Sequence, residues 1–134
     1  MAESKLTRAL FILRVSLALF LLLWGLDKIV VSEATVGIFD YFYKVSIGTT
    51  AAQALGGLEI LLALAILAGV WKTWTYGLGL LLHAISTLST WRQLLSPFGE
   101  NHLFIAALPV LGAFVALFLL RNEDTRWTLS RAGS

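Results

Sequence analysis

Three ionisable side chains stand inside apolar stretches of this chain: Arg14, Glu59 and His83. A charged side chain at the centre of a membrane helix costs about 2.5–3.5 kcal/mol on insertion scales, so each needs a partner. An arginine fork matches a carboxylate in bidentate geometry, and an imidazole can extend such a pair by taking or passing a proton. Glu59 and His83 fall near the middles of their stretches. Arg14 starts about one helical turn nearer the inner end, roughly 5–6 Å lower, and its long side chain is expected to reach up to them. The spacing predicts one central polar cluster of Arg14, Glu59 and His83 between helices. It would serve as a proton relay, a quinone head-group pocket or a small-ligand pocket. A buried network that only sets helix packing is the structural alternative.

A second polar group is expected at the outer mouth: Asp27, Lys28, Trp91, Arg92, Glu100, Asn101 and His102. Charges at helix ends are ordinarily solvated, and Asn101 can cap a helix. Lys28 stands apart because it shares the helical face of Arg14.

Other chemistries find little footing. With no cysteine, thiolate metal sites, disulfides and thiol redox steps by this chain are excluded. His83 and His102 are separated by about 10 Å or more along the bundle, too far for one ion or a bis-histidine haem. A mixed Glu59–His83 site lacks further good ligands, so no metal is expected. No serine paired with a base and no phosphate-cradling glycine loop are present, which argues against hydrolysis. A net charge of +2, without basic runs interleaved with aromatics, does not point to nucleic acid.

The elements that must position these groups follow from hydropathy. Of 134 residues, 58% are apolar and 13% charged, too little charge to cover a soluble domain of this size. The apolar residues fall into four blocks of about 20, the length that crosses ~30 Å of hydrocarbon as helix. The predicted spans are 6–31, 50–70, 75–94 and 102–120 in one membrane domain, 1–134: an all-α transmembrane four-helix bundle. Ser96-Pro97-Phe98-Gly99 breaks the chain before the last span. Lys5 and Arg8 before an apolar run resemble a signal peptide, but the run is long enough to span, so a retained helix is expected. Between the first two spans, Ser32 can cap a short helix, and Val36, Phe39 and Tyr43 recur at helical spacing. That segment is read as an interfacial helix, with an ordered loop as the alternative.

On the first span Arg14, Ala18, Leu21, Gly25 and Lys28 share a face. On the third, Tyr76, Gly79, His83, Thr87 and Thr90 do so, and Gly56 and Ala63 flank Glu59 on the second. Small residues on these faces allow close helix approach. With both termini inside, Lys5, Arg8, Lys72, Arg121, Arg126 and Arg131 lie on the cytoplasmic side, against Lys28, Lys44 and Arg92 outside. The positive-inside rule favours that orientation. Trp71, Trp74 and Trp127 then belong to the inner interface, Trp24 and Trp91 to the outer one.

Several short stretches together resemble the DoxX-like family of small four-helix membrane proteins. They are Leu13-Arg14, Trp24-Gly25-Leu26-Asp27-Lys28, Gly56-Gly57-Leu58-Glu59, Asn101-His102-Leu103-Phe104 and Leu108-Pro109-Val110-Leu111-Gly112-Ala113. The resemblance implies a bacterial inner-membrane protein and an association with membrane redox systems, including the small subunit of thiosulfate:quinone oxidoreductase. It carries over to Arg14, Lys28 and Glu59 best, and to His83 and His102 less. The function expected is a small subunit or accessory factor of a respiratory or quinone-linked complex, without activity alone. Its partners would be the bilayer and a larger membrane complex or further copies of itself. Quinone is the candidate cofactor. The alternatives are a structural or assembly protein and a small-ligand carrier, the latter disfavoured by the lack of an inverted repeat.

Overall fold

The structure, a computed structural model, describes residues 2–129; the predicted inner-side Arg131 lies outside the described residues. Six α-helices and no strand occur among them. Helix α1 (Ala2–Val30) is long and leucine-rich. Next come α2 (Ser32–Ile38) and a π turn, Phe39–Tyr43. Helices α3 (Thr49–Ala68) and α4 (Lys72–Ser89) are joined by a three-residue turn. A short α5 (Trp91–Leu95) and a 3-10 helix (Gly99–Ala106) lead into α6 (Ala107–Leu119).

Helix α1 packs chiefly on α3, and α4 on α6. Both pairs are antiparallel: Lys28 and Ile29 meet Gly56 while Gly25 meets Ile60, and Gly77 meets Phe118 while Gly79 meets Phe114. A narrow core of Leu10, Leu17, Ala18, Leu21, Ala63, Ile66, Tyr76, Phe114 and Leu117 joins them. Leucines point outward in quantity, among them Leu58, Leu61, Leu81 and Leu88. In water such a surface would drive association; against lipid tails it is the natural exterior.

Three segments are long and apolar enough to cross a membrane: Ser4–Val30, Thr49–Ala68 and Gly99–Leu119. The expected third span, 75–94, is absent from that set. It is divided between α4 and α5, which part at Thr90. The buried side of α4 holds Lys72, Thr75, Tyr76, His83 and Thr87, which lowers its hydropathy.

Local chemistry explains the boundaries. Helix α3 ends at Gly69 in the left-handed region (φ 66°), with Val70 N–H donating to Ala65 O and Gly69 N–H to Ile66 O. That is the Schellman arrangement, which favours glycine. The last helix starts later than the predicted residue 102. Pro109 supplies no N–H to the carbonyl of Ile105, so the preceding turn is 3-10 and the α-helix begins at Ala107. Ser32 opens α2 rather than capping it; Val31 holds the cap position, without a side-chain bond. Asn101 lies within the 3-10 helix and donates to Ser96 O instead of capping.

Candidate functional site

The predicted central cluster does not form. Among the described residues no hydrogen bond or ion pair links Arg14, Glu59 and His83; each has a different partner. Arg14 Nη1 pairs with Asp124 Oδ1 at 2.6 Å. Lys28 Nζ pairs with Glu59 Oε1 at 2.7 Å. His83 Nε2 lies 2.9 Å from Ala107 O, its ring packed between Phe20 and Phe114.

Helix geometry supplies the reason. The Cα–Cβ bonds of an α-helix tilt toward its N-terminus. Arg14 therefore extends away from Glu59, toward the end of the bundle that holds the C-terminal tail. Lys28, on the same face, extends toward Glu59 and takes the carboxylate assigned to Arg14. The faces read from the sequence are right, since Arg14, Ala18, Leu21, Gly25, Gly56, Ala63, Tyr76, Gly79, His83 and Thr87 are all buried. The direction of the long side chains is what changes the partners.

The strongest polar constellation is a knot around Asp124, a residue of the tail. Its Oδ1 accepts from Arg14 and its Oδ2 accepts from Tyr76 Oη at 2.6 Å. Its backbone carbonyl accepts from Lys72 Nζ. Arg14 Nη2 also donates to Arg126 O at 2.7 Å and Trp127 O at 3.1 Å. Arg14, Lys72, Tyr76 and Asp124 are all fully buried. Two buried cations thus gather on one aspartate, Arg14 on its carboxylate and Lys72 on its backbone carbonyl, with a phenol and two further backbone carbonyls completing the knot. The Nε of Arg14 is the one buried side-chain nitrogen or oxygen left without a partner among the described residues.

The tail reaches this position by turns that follow α6, and its backbone is tied down in turn. Leu129 N–H donates to Ala68 O at 2.8 Å, satisfying a carbonyl at the end of α3. Thr128 lies over Gly69, where a Cβ would come within 2.6 Å of Thr128 Cγ2. Gly69 is therefore required both for its dihedral and for the tail's seat. Sequence reasoning missed Asp124. Lys72 and Tyr76, one turn apart on the buried face of α4, were the readable signal of an anion nearby; nothing local separates Asp124 from Glu123.

The residues expected at the outer mouth do not converge. Lys28 is engaged with Glu59, Asn101 with Ser96 O, and His102 Nδ1 lies 3.2 Å from Pro97 O. The Arg92 guanidinium sits over the Trp91 ring. Asp27 takes part in none of these contacts, and its backbone carbonyl accepts from Val31 N–H.

The Lys28–Glu59 pair keeps some access to solvent, with side chains 18% and 11% exposed. Glu59→Gln is expected to lower stability by about 1.5 kcal/mol, the low end for a charged hydrogen bond, because Lys28 can swing outward. Thermal unfolding in detergent measures this. A loss as large as that from breaking the Asp124 knot would mean that the pair is drier than its geometry indicates.

No group of three or more His, Asp or Glu side chains able to hold a metal occurs among the described residues. Two surface clefts are lined by residues other than Arg14, Glu59 and His83. No family model, no curated protein and no solved structure matches this chain.

Proposed function

We propose that this chain is a multi-pass membrane protein that acts as a non-catalytic accessory or small subunit of a larger bacterial inner-membrane redox complex. The observation that carries the non-catalytic part is the disposal of its buried charges. Arg14, Lys72 and Asp124 satisfy one another and nearby backbone, Glu59 is taken by Lys28, and His83 by a carbonyl. Among the described residues Arg14, Glu59 and His83 each have a protein partner, and none of the three lines either cleft described above. What remains for interaction is the leucine-rich exterior of α3 and α4, suited to lipid and to the helices of a partner. The redox setting rests on the DoxX-like resemblance alone.

The reading includes four crossings with both termini inside. Helix α4 runs antiparallel to α6 along its length, and 18 residues extend about 27 Å. A crossing α4 places Arg14 and the tail at one end of the bundle, as their ion pair requires. The basic residues Lys5, Arg8, Arg121 and Arg126 favour the cytoplasm for that end.

Purification of the full chain from its native membrane in a mild detergent tests the role. The expected result is an oxidoreductase copurifying in fixed ratio, with no quinone retained by the isolated chain. A chain that crosslinks to no larger protein in the native membrane, or that alone holds quinone stoichiometrically, would overturn it.

A further inference from the structure

At the end of the bundle opposite the Asp124 knot, Lys44 and Arg92 pair with none of the carboxylates among the described residues. Lys44 follows the π turn and Arg92 lies in α5, and both line one cleft of about 220 Å³ together with Tyr41, Trp91 and Gln93. Among the described residues neither cation makes an ion pair or a side-chain hydrogen bond. Each instead lies over an aromatic ring: Lys44 Nζ is 5.4 Å from the Tyr41 centroid and the Arg92 guanidinium carbon 5.1 Å from that of Trp91. Lys44 is also held in the left-handed region (φ 57°), its backbone N–H bonded to Phe39 O. Such a conformation is unfavourable for a side-chain-bearing residue and persists only where the surroundings impose it. The fold thus fixes an ammonium and a guanidinium on the walls of one cleft.

We propose that this cleft binds the phosphate of an anionic phospholipid head group. Lys44 precedes α3 and Arg92 follows α4, so both stand at one end of two helices that the membrane reading has crossing the bilayer. In a bilayer that is the head-group layer, where Trp and Tyr gather and basic side chains meet phosphate. The ammonium supplies a point charge, the guanidinium a planar fork for two phosphate oxygens, and the Gln93 amide a neutral donor. The volume admits a phosphate group with room for water. The exposed flanks of Tyr41 and Trp91 would lie against the glycerol and upper acyl region. The proposal rests on the membrane reading above and is independent of the redox role.

The test uses the full chain in mild detergent, with native mass spectrometry to count bound phosphatidylglycerol against phosphatidylcholine. The wild-type protein is expected to retain phosphatidylglycerol preferentially. Lys44→Gln and Arg92→Gln should each weaken retention about fivefold, and the pair about 25-fold, from the ~1 kcal/mol that a basic side chain contributes near anionic lipid. Lys5→Gln, at the other end, should change nothing. Both cleft side chains are exposed, so the variants are expected to fold, and circular dichroism verifies it. Undiminished retention by the folded double variant would overturn the proposal. So would inorganic phosphate binding equally well without lipid and displacing phosphatidylglycerol, because the site would then belong to soluble phosphate. A wild-type chain that failed to partition into membranes would instead remove the membrane reading itself.

Discussion

Asp124→Asn is expected to destabilise the fold by about 3–5 kcal/mol, the cost of stranding a buried charge by removing its partner. The substitution keeps the size of the side chain and removes the carboxylate that pairs with Arg14 and lies beside Lys72. Two cations would then remain, both fully buried. The tail should loosen as well, since Asp124 and the Arg14 bonds to Arg126 O and Trp127 O hold it to the bundle. Its large apolar side chains contribute little anchoring, as Trp127 and Leu129 are 71% and 81% exposed. Denaturation in mixed micelles measures the loss, and tryptic cleavage at Arg126 measures the release. Removing both partners, as Arg14→Met with Asp124→Leu, should cost less than Asp124→Asn, because Lys72, bonded to the backbone carbonyl of residue 124, is then the one buried cation left in the knot rather than one of two. Wild-type stability and unchanged cleavage in Asp124→Asn would show that the knot carries no weight.

Gly56→Ala should be the most damaging single-methyl change in the apolar helices. A Cβ at Gly56 would lie 2.6 Å from Gly25 O and 2.9 Å from both Lys28 Cβ and Ile29 Cγ1. The nearest of these is backbone, so α1 and α3 would have to move apart along their whole interface. Overpacking of this kind costs about 1–3 kcal/mol, and the Lys28–Glu59 pair, one turn away, would be stretched with it. Gly57→Ala is the control. Nothing lies within 4 Å of its added Cβ, so only helix propensity changes, a gain of roughly 0.5–1 kcal/mol. Opposite signs at adjacent glycines, read by unfolding in the same micelles, are the expected signature. Equal effects would mean that α1 and α3 are not in close contact.

How the site was legible differs from residue to residue. The buried faces were readable because the 3.6-residue period places small and polar residues in line, as with Gly25 and Lys28 or Gly79 and His83. Membrane-length helices were readable because hydrocarbon thickness and helix rise convert directly into residue counts; α1, α3 and the segment ending in α6 meet that test. The short helix after α1 was readable from the spacing of Val36, Phe39 and Tyr43, and the Phe39 and Tyr43 rings do meet, 4.9 Å apart.

The amino-acid sequence by itself determined that the chain is helical, apolar and obliged to pair Arg14, Glu59 and His83 with something. Only the tertiary structure decided with what. Partner choice depends on where a polar tail returns and on which way a long side chain leans, and neither leaves a periodic trace. Asp124 is 110 residues from Arg14, and it is the antiparallel stacking of α4 and α6 that brings the tail to the right end of the bundle. A low-dielectric interior forces every charge to find an opposite one or a carbonyl, but geometry chooses among the candidates.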